Sequence, residues 1–243
     1  MKKDVEKNDS KEPCLNARAR HQTEWDTLEP EDLELFNRKV ICKQYRMGQI
    51  IFLQGDTCKG LYFVESGLVA VRKMNEEGKS AIVRLANQGD TLGYRPFLAK
   101  ENHRATAEVI IKSVICFLEA PVMRRLLLRN PKLGLRFLES TAQALGEAEE
   151  RLFQVAALSV RTRIIHLLLL LSDHYGSTTS DGKMIIELPM TKRNLASMIG
   201  AQPESVSRAF SEIKADGLLE FSGRTVQVNH IGNLVEELHY NLQ

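Results

Sequence analysis

The order of elements near the end of the chain restricts its fold more than any single motif does. Residues 184–188 form an apolar run that predicts a strand. Residues 191–198 and 202–215 then predict two helices, joined by a tight turn at Gly200. Residues 218–228 predict a hairpin with Ser-Gly-Arg at its tip. Strand, helix, glycine turn, helix and hairpin follow one another as in a winged helix-turn-helix.

The second helix of this unit has the side chains of a DNA-recognition helix in its first turns. Arginine can bind guanine bidentately, glutamate can accept from the cytosine amino group, and serine can bond to a base edge or a phosphate. The alternative is a solvated face with an ion pair between Glu204 and Arg208. The candidates for base contact are Glu204, Ser205, Ser207 and Arg208.

Positive side chains around this helix are expected to bind phosphates without reading sequence. They are Lys192, Arg193 and Arg224, and Thr191, the expected cap of the first helix, completes the predicted DNA-binding set.

The sequence pattern of the first half of the chain is typical of strands rather than helices. Short apolar runs alternate with glycine-containing turns, which predicts an antiparallel barrel or sandwich. Ser66 and Gly67 are interpreted as one of those turns, between strands at 61–64 and 68–71. The other predicted strands lie at 50–53, 81–85 and 114–118.

Two long helices are predicted between the strand-rich part and the winged unit, at 132–157 and 159–175. The first has three leucines at seven-residue intervals, a spacing with which a helix presses one seam against a partner helix. We expect a homodimer along this seam, although the helix could instead pack on its own barrel. The seam residues are Leu138, Leu145 and Leu152.

Length and composition narrow the class of protein. A chain of 243 residues suits two ordinary domains, and a net charge of +2 neither favours nor excludes nucleic acid. No apolar run approaches the ~20 residues of a membrane span, and no signal peptide is recognised, so a cytoplasmic protein is expected. The cysteines are widely separated, and a disulfide framework is not expected in a reducing cytosol. They are Cys14, Cys42, Cys58 and Cys116.

Several of these segments together resemble the CRP/FNR family, over about residues 27–228. The resemblance implies an α+β protein: a double-stranded β-helix sensor (a jelly roll like the cyclic-nucleotide-binding domain), a long dimerisation helix and a C-terminal winged helix-turn-helix. The motifs that carry it are Gln54-Gly55-Asp56, residues 61–67, Gly89-Asp90 to Leu92-Gly93, Leu195-Ala196 to Gly200, and residues 204–208.

A family member of this kind is expected to be a transcription regulator rather than an enzyme, since no catalytic motif is found. Its expected partners are a DNA palindrome, a second copy of itself and RNA polymerase, with no membrane. The expected segments are 1–22 as a mobile tail, 23–130 as the sensor domain, 131–158 as the dimerisation helix and 159–243 as the DNA-binding domain.

The resemblance also bears on the signal that is sensed. In the cyclic-nucleotide branch a Gly-Glu pair binds the ribose and an Arg-Ser-Ala run binds the phosphate. Here Tyr94 stands in place of the glutamate and Arg104 is displaced by one residue, onto the opposite face of a strand, so cAMP is not expected to bind. The remaining polar candidates for an effector pocket are Tyr94, Arg95, His103, Arg104 and Thr106.

The FNR branch holds an iron–sulfur cluster with three closely spaced N-terminal cysteines and one in the barrel. Cys116 stands at the barrel position and Cys14 where the N-terminal group would begin, but the group itself is absent. A cluster is therefore not expected, and no other cofactor is predicted. A thiol switch through Cys14 and Cys116, haem bound by His103 or His21, and a cyclic-nucleotide-binding protein without DNA stay open as alternatives, while Cys116 is also interpreted as a plain core residue.

The recognition helix resembles that of the FNR branch, which has the pattern Glu-x-x-Ser-Arg. This chain matches it at Glu204, Ser207 and Arg208. The resemblance implies half-sites close to TTGAT.

Overall fold

The computed structural model describes residues 23–240 and has an α+β fold, which confirms the predicted class. It divides into two compact units, the first ending at Leu145 and the second beginning at Gly146. The predicted mobile tail, residues 1–22 with Cys14 and His21, lies outside the described residues. No helix among residues 23–240 is long and apolar enough to cross a membrane.

The first unit begins with a 3-10 turn, Glu24–Thr27, and combines a sheet with helices at both ends of it. One helix precedes the strands, α1 (Pro30–Lys39), and one lies between two of them, α2 (Tyr94–Ala99). The last strand is followed by α3 (Ala120–Arg129) and the start of α4 (Pro131–Ala157). The strands of this unit are β1 (Ile41–Tyr45), β2 (Ile50–Phe52), β3 (Gly60–Met74), β4 (Ser80–Ala86), β5 (Thr91–Leu92) and β6 (Thr106–Glu119).

Two long strands organise this sheet, in which all pairs are antiparallel. β6 pairs with β1, β2 and β3, and β3 pairs in turn with β4 and β5. The predicted turn at Ser66 and Gly67 is wrong, because both residues lie inside the continuous strand β3. The register between β3 and β6 shifts at this place, so the glycine belongs to a bulge.

An aromatic core joins the sheet to the helices of the first unit. The Trp25 ring lies against Phe36 and Phe137, with ring centroids 4.9 and 5.6 Å apart. Its indole Nε1 donates a hydrogen bond to Thr91 Oγ1 at 2.9 Å, which satisfies the polar end of a fully buried ring. A second cluster of buried side chains, from the strands of the sheet, includes Val64, Val109 and Ile115.

The structure contains a disulfide between Cys42 and Cys116, which corrects two expectations. A disulfide had not been expected, and Cys116 had been interpreted as a plain core thiol. The antiparallel register of β1 and β6 places Cys42 directly opposite Cys116, so that their Cα atoms are 3.9 Å apart. The two cysteines are 74 positions apart in the sequence, so their spacing gives no indication that they are neighbours in the fold.

The second unit contains the predicted winged arrangement. Its helices are α5 (Val160–Tyr175), α6 (Lys192–Met198), α7 (Pro203–Ala215) and α8 (Ile231–Tyr240). Its strands β7 (Gly176–Thr178), β8 (Met184–Glu187), β9 (Leu219–Ser222) and β10 (Thr225–Val228) form a sheet in the order β7-β8-β10-β9. The predicted cap at Thr191 is present, since its Oγ1 accepts from the Asn194 amide before α6. Ser159, predicted as the first residue of a helix, caps α5 instead, and its Oγ accepts from the Thr162 amide.

Candidate functional site

The first turns of α7 divide cleanly into a buried and an exposed side. Val206, Ala209 and Phe210 are buried against the rest of the second unit. Glu204, with Ser207 and Arg208 three and four residues further on, is exposed on the other side of the helix, and Ser205 is half-buried. Among the ion pairs and hydrogen bonds of residues 23–240, none joins Glu204 to Arg208. A carboxylate, a hydroxyl and a guanidinium thus share one face that can enter a DNA groove.

The corner between α6 and α7 is built on Gly200, whose φ is +63°. A non-glycine residue is strained at such an angle. A Cβ atom added to Gly200 would lie 3.3 Å from Val155 Cγ2, so the turn is also tightly packed against the last turn of α4. Pro203 begins α7 three residues later. The direction in which α7 leaves this corner is therefore narrowly fixed.

An aromatic pair links α7 to the wing formed by β9 and β10. The rings of Phe210 and Phe221 lie with centroids 5.0 Å apart. The Lys192 ammonium sits 3.9 Å from the centroid of Phe221 and 5.5 Å from that of Phe210. This cation–π contact holds the start of α6 to both elements. Lys192 was predicted to bind phosphate, and the structure shows it placed on the rings, at the edge of the same surface.

The other residues of the predicted DNA-binding set lie on α6 and on the wing. Arg193 is exposed on α6, and Thr191 lies exposed at its cap. Arg224 is exposed at the tip of the wing, where its backbone carbonyl accepts from the Leu188 amide at 2.8 Å. The residues predicted for base and phosphate contact therefore lie on three elements of the second unit, α6, α7 and the wing, and both α6 and β9 pack against α7.

The five candidates for an effector pocket have different environments. Tyr94 is buried against Phe137, with ring centroids 5.8 Å apart, and burial raises its pKa. Arg95 is exposed. Arg104 is exposed and makes two hydrogen bonds to the Glu101 carboxylate. The Nε and Nη2 atoms of Arg104 are thus engaged by a carboxylate three residues earlier in the chain.

The remaining two candidates lie at the start of β6, His103 three residues before it and Thr106 as its first residue. His103 is 3% exposed and stacks on Phe52 with ring centroids 3.8 Å apart. Burial lowers its pKa, which favours the neutral imidazole. A Cβ on Gly93 would lie 3.5 Å from His103 Cε1, so His103 lies beside the start of α2. Thr106 Oγ1 accepts from the Gln54 amide at 2.9 Å and thereby ties β6 to a loop.

The cysteines described do not fit an iron–sulfur cluster, which needs thiolate ligands. Cys42 and Cys116 are bonded to each other. Cys58 is half-buried beside the carbonyl oxygens of Gly60 and Gly93, and burial raises the pKa of its thiol. Among residues 23–240, His, Cys, Asp and Glu side chains nowhere gather in a group of three or more that could hold a metal ion.

Three charged residues that the sequence did not single out have unusual surroundings. Glu65 has a buried Oε2 with no hydrogen-bond partner among the described residues, and burial raises its pKa to about 7. Arg163 is buried in the second unit, which lowers its pKa, and Arg161 holds two carboxylates. Residue type alone places all three on the surface, so only the packing of the elements reveals them.

Comparison with known families agrees with this architecture. Residues 42–130 match the cyclic nucleotide-binding domain, and residues 162–236 match the Crp-like helix-turn-helix domain. The first match contains the disulfide and the effector-pocket candidates, and the second contains the exposed face of α7. Together they cover more than half of the chain.

Individual relatives are regulators that match over nearly their whole length. The transcriptional activator protein FnrL of Cereibacter sphaeroides is 27% identical over 228 residues, covering 92% of this chain and 91% of the relative. The cAMP-activated global transcriptional regulator CRP of Salmonella typhimurium is 28% identical over 198 residues, covering 81% and 93%.

Among solved structures, FixK2 from Bradyrhizobium japonicum has the same fold. Its TM-score is 0.71 at 23% identity, with 81% of this chain and 96% of that chain covered. One conclusion follows from the two domain matches, from their order in the chain and from the relatives, which are regulators covered over more than 90% of their length. The chain belongs to the CRP/FNR family of transcription regulators and carries a DNA-binding helix-turn-helix rather than an enzyme's active site.

Proposed function

We propose that the protein is a homodimeric, sequence-specific transcription regulator that reads a DNA palindrome with TTGAT-type half-sites. The observation that carries the proposal is the exposed face of α7, where Glu204, Ser207 and Arg208 stand at helical spacing above a buried apolar side. Arg208 and Glu204 read the G·C pair, and the serine suits the neighbouring thymine. Such a regulator works where the chromosome is, in the cytoplasm, and acts through RNA polymerase.

Substitutions of two arginines distinguish base-specific contacts from general affinity for DNA. Replacing Arg208 with alanine removes a guanidinium from the exposed face of α7, and we expect a loss of about 1–3 kcal/mol per half-site with relaxed selectivity at the guanine. Arg224→Ala is the matched control, since it removes the same group from the tip of the wing. It should weaken binding to all sequences about equally and reduce the salt dependence.

The measurement is selection of binding sites from random duplexes, followed by affinity titrations on the selected site at fixed salt. A selected palindrome that lacks the TTGA core would contradict the proposed half-site. An Arg208→Ala protein with unchanged base preference would show that α7 is not the reading element.

The Cys42–Cys116 disulfide favours a second candidate function, a regulator that senses thiol redox state. Cys116 was one of the two cysteines considered for such a switch, and here its partner is Cys42. Reduction by a dithiol, or by two monothiols in succession, breaks the S–S bond, takes up two electrons and two protons and leaves two free thiols, while the two reducing thiol groups become a disulfide. The bond joins β1 to β6, so its loss removes a covalent link from the edge of the sensor sheet.

This candidate is tested by titrating DNA with the oxidised and the reduced protein. We expect reduction to change the affinity of the wild-type protein for its site and to leave a Cys42→Ser variant unresponsive. Cys58→Ser, which removes the half-buried free thiol, is the control and should respond like the wild type. If oxidised and reduced wild type bind equally, the disulfide is structural only.

A further inference from the structure

The first turn of α5 carries a buried arginine that contacts the corner of the helix-turn-helix. Arg163 is 9% exposed, and its Nη1 donates a hydrogen bond to the carbonyl oxygen of Ile199 at 2.6 Å. Ile199 is the residue that ends α6, directly before Gly200. The last carbonyls of a helix lack partners within the helix, and they carry the negative end of its dipole. Arg163 therefore supplies both a donor and a favourable charge to this helix end.

Burial of the Arg163 guanidinium is energetically unfavourable. Nε of Arg163 is buried and has no acceptor among the described residues. Removing a charge from water is unfavourable unless it is well paired, and an apolar side chain of similar volume would avoid that cost. An apolar side chain, however, could not donate a hydrogen bond and so could not fix the direction of the Ile199 carbonyl. The advantage of arginine over an apolar residue at this position is therefore this hydrogen bond.

The same turn is packed on a second side. A Cβ atom on Gly200 would lie 3.3 Å from Val155 Cγ2 and 3.8 Å from Arg163 Nη1. The corner thus lies between the last turn of α4 and the guanidinium, and α7 starts from it at Pro203. A shift of the Ile199 carbonyl would change the direction in which α7 leaves the corner.

A second arginine of α5 reaches the far end of α7. Arg161 forms ion pairs with Asp216, the residue that ends α7, and with Glu237 of α8. Arg163 therefore contacts the corner before α7 and Arg161 the residue after it, although neither belongs to the exposed face of α7. Arg161 pairs with two carboxylates near the surface. Arg163 is buried and binds a single backbone carbonyl, so its contact restricts the backbone of the corner more directly.

We propose that Arg163 is a positioning residue for the recognition helix: it holds the Ile199 carbonyl, fixes the corner before α7 and thereby sets base selectivity without touching DNA. The inference rests on the proposed sequence-specific binding by α7. A guanidinium that only stabilised the fold would affect all DNA binding alike. A positioning residue affects the preferred site most, because base contacts depend on geometry more steeply than phosphate contacts do.

The test compares four proteins on two duplexes, the selected palindrome and a scrambled duplex of the same length and composition. Arg163→Met removes the hydrogen bond and keeps an apolar side chain of similar length. Arg163→Lys keeps a charged donor for the Ile199 carbonyl. Arg38→Met removes one positive charge from an exposed position on α1 and serves as control. Fluorescence anisotropy gives both affinities, and circular dichroism melting reports the fold.

We expect Arg163→Met to reduce the ratio of specific to non-specific affinity by roughly tenfold, with the non-specific affinity unchanged. Arg163→Lys should restore most of the ratio, and Arg38→Met should retain the wild-type value. If Arg163→Met does not fold, Arg163→Leu, which also lacks a donor, takes its place in the comparison with Arg163→Lys and in the outcomes below.

Two outcomes overturn the role of Arg163: a folded Arg163→Met protein as selective as the wild type, or Arg163→Lys no more selective than Arg163→Met. A wild-type protein that prefers no sequence would refute the proposed function itself, and the inference with it. The wild-type ratio thus separates failure of the proposed function from failure of the positioning role.

Discussion

Glu65 lies in the bulge of β3, at the register shift between Val64 and Ser66. One of its carboxylate oxygens is buried without a hydrogen-bond partner among the described residues. Burial disfavours the charged form and raises the pKa of Glu65 to about 7. The folded protein therefore holds a proton on this carboxyl at pH values where an unfolded chain has already released it.

The consequence is a pH dependence of stability. Because the pKa is higher in the folded state, the free energy of unfolding falls as the pH rises from about 4.5 to about 7 and then stays level. Glu65→Gln removes the titrating group and keeps its shape. We expect the variant to be more stable than the wild type at pH 8 and equally stable at pH 4.5.

Urea unfolding at the two pH values measures this difference. Glu77→Gln, at a carboxylate that is 70% exposed, is the control and should follow the wild type at both. A Glu65→Gln protein that is less stable than the wild type at pH 8 would mean that the charged form is favourably solvated.

Single residues also show what sequence chemistry can and cannot predict. The exposed set on α7 follows from residue type and helical spacing, and the structure places Glu204 and Arg208 on one face. The environments of Glu65 and Arg163 do not follow from residue type, because each depends on elements far away in the sequence. The same holds for Cys42, whose partner is chosen by strand register.

At the scale of elements, helices and strands differ in how far they could be predicted. The long helices and both helices of the winged unit were predicted almost to the residue, because caps, prolines and glycines mark their ends locally. The small strand β7 and the last helix, α8, lie in segments for which no element was predicted.

β3 shows why a strand is harder to predict. Gly67 indicates a turn by composition, yet it lies inside a strand of 15 residues. Its φ is +97°, and a Cβ atom there would overlap Ser113 Oγ and the Lys112 carbonyl of β6. The glycine is required by the close approach of a neighbouring strand, which is information that the local sequence does not contain.

At the scale of the whole molecule, α4 leaves its predicted seam uncovered. The helix has 27 residues and is about 40 Å long. Leu138, Leu145 and Leu152 are 63%, 61% and 71% exposed on it in the single chain. Leucines at this spacing and exposure suit a second copy of the same helix.

We expect Leu145→Asp to convert the proposed homodimer to a monomer, because it would bury two unpaired charges at the interface at a cost of several kcal/mol. Light scattering coupled to size exclusion gives the mass. Leu128→Asp, at a leucine of α3 that is 85% exposed and lies outside the seam, is the matched control and should remain dimeric. If Leu145→Asp also remains dimeric, the partner contact lies elsewhere on the chain.

Because β1 pairs with β6, it can form its contacts only after the later strand has been synthesised. Cys42 leaves the ribosome 74 residues before Cys116. At about 5–20 residues per second, that stretch takes roughly 4–15 s to translate. During this interval β3 and β4 can already form a hairpin. β1 and β2 stay unpaired until β6 has been synthesised, because both of them pair with it. The nascent chain therefore presents the Cys42 thiol to its surroundings for seconds before its own partner exists.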